Sequence, residues 1–254
     1  MFAALQGGAV RAAVVPVENS HAGAVADVYD LLRLHADARV LAEAVVRVSH
    51  CLLALPGSVL TGIERARSHP QALAQVDEFL RRHRIIPEVA YDTAGAAHEV
   101  SRGDDRSVAA VASRRAGERY GLEVLADRIE TTDDNYTRFF AIARADDTGA
   151  ADWIHPSTLG AATKTSLVYA TKNVPGALIR SLQPFAVANI QLTKIESRPS
   201  RAAPWQYVFY LDFEGHPAVS PAREAIALME TCCEWIHVIG TYRSMTTVGV
   251  EHRR

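Results

Sequence analysis

Along the first 145 residues, unbroken apolar runs alternate with segments in which apolar side chains return every three or four positions. Residues 12–17, Ala-Ala-Val-Val-Pro-Val, predict a strand of the fully buried kind. The run closes on the polar group Glu18-Asn19-Ser20 and hands on to a helix whose inward positions are Val25, Val28, Leu31 and Leu32. A second apolar stretch, residues 40–55, is long enough to cross between two lobes and stops at the turn signal Pro56-Gly57. Ser68-His69 before Pro70 suits the first turn of a helix with the apolar face Leu73, Val76, Phe79 and Leu80. A strand over 85–91, a helix from about 93 to 101, a strand over 108–111 and a helix from about 113, stopped by Gly121, continue the series. Strand and helix in this alternation predict open, mostly parallel α/β sheets.

After Phe139-Phe140-Ala141-Ile142-Ala143 the texture changes. Residues 146–151 are small, polar and without period, and a domain linker is expected there. Beyond about Thr163 the order is strand (166–171), helix (175–185), strand (190–195), strand (207–213), helix (221–234), strand (235–239). That is βαββαβ, the split ferredoxin-like motif, which closes one four-stranded antiparallel sheet covered on one face. The fold class is therefore α/β, with domains at 1–144 and 163–243 and a linker at 145–162.

Composition narrows the function. Of 254 residues, 48% are hydrophobic and 22% charged, the make-up of a folded chain rather than a disordered one. With 27 Lys+Arg against 29 Asp+Glu there is no positive field to condense on a phosphate backbone, so nucleic acid is not the expected partner. The longest stretch free of Asp, Glu, Lys and Arg, residues 48–63, is broken by Pro56-Gly57, and no membrane partner is expected. The amino terminus has no basic segment before an apolar core, so a cytoplasmic location is expected. Cys51, Cys232 and Cys233 form no C-x-x-C pattern, which suits reduced thiols and leaves no structural metal site.

Three polar clusters lie at predicted strand ends, where open α/β sheets collect ligands. Glu18-Asn19-Ser20 with Gly23 could bind a ligand, or Asn-Ser could simply cap a helix. Ser68-His69-Pro70-Gln71, with Gln75 one turn on, could do the same, or Ser68 could be a plain N-cap and His69 an exposed loop residue. In Asn135-Tyr136-Thr137-Arg138-Phe139 a hydroxyl and a guanidinium enter an otherwise apolar strand, and a buried-strand Arg implies a carboxylate partner.

These segments, taken in order, resemble one family. Residues 15–20 (Val-Pro-Val-Glu-Asn-Ser), 68–75 (Ser-His-Pro-Gln-Ala-Leu-Ala-Gln), 93–97 (Thr-Ala-Gly-Ala-Ala) and 135–139 (Asn-Tyr-Thr-Arg-Phe) look like the successive motifs of prephenate dehydratase. Pro175-Gly176-Ala177-Leu178 and Lys194-Ile195-Glu196-Ser197-Arg198-Pro199 resemble the two phenylalanine-binding motifs of that family's regulatory ACT domain. The likeness runs from about Gly8 to Tyr242.

The resemblance implies a two-lobed catalytic domain like the periplasmic binding proteins, followed by a ferredoxin-like ACT domain. It implies decarboxylative dehydration of prephenate to phenylpyruvate, with no metal or organic cofactor. Thr137 would donate to the leaving hydroxyl; Asn19, Ser20, Ser68 and Gln75 would make neutral hydrogen bonds to substrate. Arg138 would be an anion partner or a strand-locking residue, and Glu18 an orienting group. L-Phenylalanine would be the effector, enclosed by Gly176, Ala177 and Leu178 of one chain and by Gln191, Glu196, Ser197 and Arg198 of another, which implies a homodimer or homotetramer. Gln191 stands where an Asn is usual. The family's first strand, glycine-rich loop and helix have no counterpart before Phe2, which implies either an upstream start or a relative with an incomplete first lobe. Two function classes follow: the enzyme, acting on prephenate or on its amine analogue arogenate, and a non-catalytic amino-acid sensor or partner protein that keeps the ACT domain.

Overall fold

The computed structural model describes residues 1–147, 149, 164–200 and 206–244. The chain opens with α1 (Phe2–Gln6), β1 (Ala12–Asn19), β2 (Gly23–Ala24), α2 (Ala26–Leu34) and β3 (Ala38–Arg47). Next come β4 (Cys51–Ala54), β5 (Arg65–Ser68), α3 (Pro70–Gln75), α4 (Asp77–His83), β6 (Ile86–Val89), α5 (Thr93–Arg102), β7 (Val108–Ala112), α6 (Arg114–Tyr120) and β8 (Glu123–Ala126). β9 (Tyr136–Arg144), β10 (Lys164–Thr171), α7 (Ala177–Val187), β11 (Leu192–Pro199), β12 (Tyr207–Glu214), α8 (Ala222–Glu230) and β13 (Cys233–Tyr242) complete it. The last six elements have the βαββαβ order. The expected linker at 145–162, apart from 145–147 and Gly149, lies outside the described residues. Among the described residues no helix is long and apolar enough to cross a membrane.

The chain forms two compact units, Met1–Val46 with Thr137–Arg254, and Arg47–Tyr136. In Arg47–Tyr136 the strand order is β6-β5-β7-β4-β8. β5 runs parallel to β6 and β7, whereas β4 is antiparallel to both β7 and β8. Every strand reached through a helical crossover thus points the same way. β4 is the exception in this unit to the mostly parallel expectation; in the other unit that expectation fails, since β1 runs antiparallel to both β2 and β9. All five residues of β7 are buried. Its alternation explains why: Ala109 and Val111 pack with Leu73, Val76 and Leu80 of the α3–α4 layer, and Val108, Ala110 and Ala112 with Ala96, Ala97 and Val100 of α5.

In the other unit eight strands form one sheet in the order β11-β12-β10-β13-β3-β9-β1-β2. Leu167, Tyr169, Leu211 and Phe213 pack with Phe185 of α7 and Met229 of α8. The opposite face of the same strands, Val168, Val208 and Tyr210, packs with Val15, Val17, Tyr29, Leu32, Phe140 and Ile142. The βαββαβ sheet is therefore covered on both faces, not on one as its motif predicts. β10 and β12 each bury six consecutive residues, a run that a half-exposed antiparallel strand would interrupt with solvent-exposed positions.

The two halves of this sheet join where β13 meets β3 in parallel, Gly240 opposite Val40. A Cβ at Gly240 would fall 2.5 Å from the Val40 carbonyl oxygen and 2.6 Å from its Cβ, so the junction requires glycine. Gly240→Ala is expected to lower unfolding stability by about 1–3 kcal/mol in a urea titration, the cost of forcing an extra carbon into a packed site. An unchanged midpoint would show that β13 does not lie against β3.

Candidate functional site

β1 and β9 pair antiparallel, and a bulge at Val17 sets what faces what. Val15 is opposite Phe140 and Pro16 opposite Phe139; the register then slips, placing Glu18 opposite Arg138 and Asn19 opposite Thr137. Because successive residues of a strand project to opposite faces, the two polar pairs point different ways.

On one face the Asn19 Nδ2 donates to Thr137 Oγ1 over 3.0 Å. The amide cannot be reversed, since Asn19 Oδ1 accepts from the backbone N–H of His21 (3.0 Å) and of Ala22 (2.9 Å). Asn19 thus caps the hairpin turn between β1 and β2, which Gly23 closes in the left-handed region (φ 79°), and not a helix; α2 is preceded by Val25. Ser20 is exposed in that turn. With its oxygen accepting from Asn19, the Thr137 hydroxyl keeps its proton available to donate.

On the other face the Arg138 guanidinium meets the protein's own carboxylates. Nε donates to Glu43 Oε2 (2.7 Å), one terminal nitrogen to Asp212 Oδ2 (2.6 Å) and the other to the Tyr242 hydroxyl (3.0 Å). Glu18 Oε2 lies 3.7 Å away, and Lys194 Nζ holds the other Glu18 oxygen at 2.9 Å. Lys164 Nζ donates to Glu43 Oε1 at 2.8 Å, and Ser166 bonds both Asp212 and Tyr242. The guanidinium carbon also sits 4.7 Å from the Phe140 ring centroid. Burial pushes the Glu43 carboxyl upward, but Arg138 and Lys164 outweigh it and hold it below the ordinary carboxylate range. Burial likewise works against the Arg138 charge, and Asp212, Tyr242 and Glu43 more than restore it, leaving its pKa raised.

In Arg47–Tyr136, Ser68 is fully buried at the carboxyl end of β5 and donates to the Val111 carbonyl at 2.6 Å. It is not the cap of α3. That role falls to exposed His69, whose Nδ1 accepts from the Gln71 N–H at 3.2 Å. Gln75 ends α3 with its Oε1 2.7 Å from His50 Nε2. His50 is buried, and its backbone N–H donates to Glu130 Oε2 at 3.0 Å.

In the βαββαβ segment a cavity of about 520 Å³ is lined by residues including Lys172, Gly176, Ala177, Leu178, Ile179 and Leu182. Gln191, Glu196, Ser197 and Arg198 do not line it. Gln191 donates to the carbonyl of Leu192, Glu196 is half-buried and Ser197 exposed on β11, and Arg198 lies 3.6 Å from Asp30 of α2.

Glu43, Asp212 and His50 were not among the candidates read from the sequence. For the first two a signal existed: each is a carboxylate with an apolar residue on either side inside a strand, and each is 98% buried, which only a cationic partner permits. His50 carried no such mark.

The family model for prephenate dehydratase matches residues 1–147. The chain is 38% identical over 256 residues to arogenate dehydratase/prephenate dehydratase 2 of Arabidopsis thaliana, covering 97% of this chain and 65% of that protein. The chain thus spans just under two thirds of that relative's length. Among solved structures it is similar to GqqA, described as a novel type of quorum quenching acylase, with a TM-score of 0.83, 34% identity, and 96% of this chain and 85% of that one covered. It is also similar to prephenate dehydratase from Arthrobacter aurescens in complex with L-Phe, with a TM-score of 0.80, 28% identity, and coverage of 97% and 81%.

The ionic cluster has a pH signature. Glu43 has a folded pKa below its unfolded value near 4.5, so its contribution is full above that value and is lost as the pH falls through the folded pKa. Glu43→Gln is expected to be less stable at pH 7 by about 3–5 kcal/mol, the cost of stranding a buried charge, and to show a flatter stability profile below pH 4.5. Parallel profiles for the two proteins in urea titrations across this range would refute the pairing.

Proposed function

Because the chain belongs to the prephenate dehydratase family, we propose that it converts prephenate to phenylpyruvate, water and carbon dioxide, with Thr137 donating to the departing hydroxyl. In that reaction the ring carboxylate leaves as carbon dioxide, its bonding electrons enter the ring, the ring carbon–oxygen bond breaks, and the leaving oxygen takes up one proton. Aromatisation supplies the driving force; the protein must supply a donor at the leaving oxygen. The observation that supports this reading most is the Asn19 amide, which occupies the acceptor side of the Thr137 hydroxyl and is itself held by two backbone N–H groups. A threonine hydroxyl is a very weak acid, so Thr137 acts as a positioned donor whose proton transfer runs late. In this reading Ser20, exposed in the turn beside Asn19, offers a neutral hydrogen bond to the substrate, and residues 1–144 are the catalytic domain. Arogenate, which carries an amine in place of the keto group, is the second substrate to assay.

The same reading takes residues 163–243 as an ACT domain that binds L-phenylalanine as feedback effector in a homodimer or homotetramer. The cavity at Gly176, Ala177 and Leu178 suits an amino acid, because it lies at the start of the 11-residue helix α7, where the positive end of the helix dipole attracts a carboxylate. Leu178, Ile179 and Leu182 offer an apolar wall for a phenyl ring. Gln191, Glu196, Ser197 and Arg198 of a second copy would close the site.

Thr137→Ala is expected to lower turnover of prephenate at least about 100-fold with unchanged circular dichroism; turnover within a few-fold of the parent removes Thr137 from the mechanism. A parent chain that turns over neither prephenate nor arogenate, yet is stabilised by L-phenylalanine, is a sensor. L-Phenylalanine at 100 times its Kd is expected to stabilise the protein by about 2.7 kcal/mol. Leu178→Glu should abolish that shift by placing a charge in the apolar wall offered to the phenyl ring, and an undiminished shift would move the effector site elsewhere.

A further inference from the structure

The Arg138 cluster joins elements that are far apart in sequence. Arg138 and Glu18 belong to β9 and β1, and Glu43 to β3. Asp212, Tyr242, Lys164 and Lys194 come from β12, β13, β10 and β11 of the βαββαβ segment. The side chains of Asp212 and Glu43 are 3% and 1% exposed and that of Lys194 is 7% exposed, so water contributes little to holding them. Around them the core is apolar, built from Val15, Val17, Phe140, Val168, Val208 and Tyr210. In such a place well-packed hydrocarbon of equal volume is often as stabilising as an ion pair, or more so, and what ions add is geometry. Charge-assisted bonds from the three Arg138 nitrogens to three different partners, two of them carboxylates, fix the plane of the guanidinium, and with it the backbone that carries it.

We propose that Asp212 is a positioning residue for the dehydratase reaction: by gripping Arg138 it fixes β9 against β1 at the step where Thr137 meets Asn19. This rests on the reading of Thr137 as the donor. The geometry is direct. Thr137 and Asn19 are the cross-strand pair adjacent to Arg138 and Glu18, and a shift of either strand that loosens the ionic face displaces the hydrogen-bonding face by the same amount. Lys194 grips the partner strand through Glu18, so both strands are held from the same four-stranded array. Lys194 also lies two residues before Glu196 on β11, placing the grip on the strand assigned to effector binding.

The test compares the parent with Asp212→Asn, which keeps the size of the side chain and its bond to Ser166, and with Asp212→Glu. The Asn19 side-chain amide and Thr137 methyl resonances are read by NMR, and kcat and KM for prephenate and arogenate are measured on the same preparations. For Asp212→Asn the expected result is shifted or broadened Asn19 and Thr137 signals and a kcat at least 10-fold lower, with KM within two-fold of the parent. Asp212→Glu should restore part of the kcat. Unchanged Asn19 and Thr137 signals, or a kcat that stays at the parent value once the folded fraction is counted, overturns the proposal. If the parent turns over neither substrate, the function reading fails, and the NMR signals still decide whether Asp212 positions the pair. Should Asp212→Asn not fold, Tyr242→Phe removes one Arg138 contact while keeping the ring, and the same two readouts apply at smaller amplitude.

Discussion

A guanidinium inside an apolar core must meet anions, and the placing of Arg138 imposes that requirement on seven strands. Its side chain is 11% exposed, and it is matched by Glu43, Asp212 and Glu18, whose remaining oxygens take up Lys164, Ser166 and Lys194. Three carboxylates face three cations, so the cluster is neutral as a whole and costly to break in part. Any arrangement of the Met1–Val46 and Thr137–Arg254 unit that separated β1 and β9 from the βαββαβ segment would leave these charges unpaired. The cluster therefore specifies how the strands of this unit lie on one another, while the surrounding Val, Phe and Tyr side chains supply most of the burial energy.

Strand geometry, with one bulge, then separates two polar faces. The bulge at Val17 advances β1 by one position, so that Glu18 joins the ionic face and Asn19 turns to Thr137. Had the register of Pro16 and Phe139 continued without the slip, Glu18 would oppose Thr137, and a carboxylate would stand beside its hydroxyl. The face that holds Arg138 and the face that carries the Asn19–Thr137 hydrogen bond are thus consecutive residues of the same two strands.

Much of this is legible in the sequence. The apolar run at 12–17, the βαββαβ order after residue 163, and Asn19, Ser68 and Thr137 as polar residues at strand ends all follow from pattern and composition. The need of Arg138 for a carboxylate follows from burial alone. The identity of those carboxylates does not: Glu43 and Asp212 are 95 and 74 residues away in the chain, and contacts at that separation leave no local period. The bulge is equally silent, because Val17 is as apolar as Val15 and nothing in its side chain marks an unpaired position. The covering of both faces of the βαββαβ sheet was written in the four-residue apolar runs at 167–170 of β10 and 208–211 of β12, and the motif's usual one-sided packing hid it.

The most direct measurement is a double-mutant cycle on stability, Arg138→Met against Asp212→Asn, by urea unfolding at pH 7. If the pair is buried and mutually required, each single change costs about 3–5 kcal/mol by stranding its partner. The double variant then costs less than the two together by about 0.5–3 kcal/mol or more. Strictly additive losses would mean that Arg138 and Asp212 do not meet, and the link between the C-terminal sheet and the Thr137 strand would fall with them.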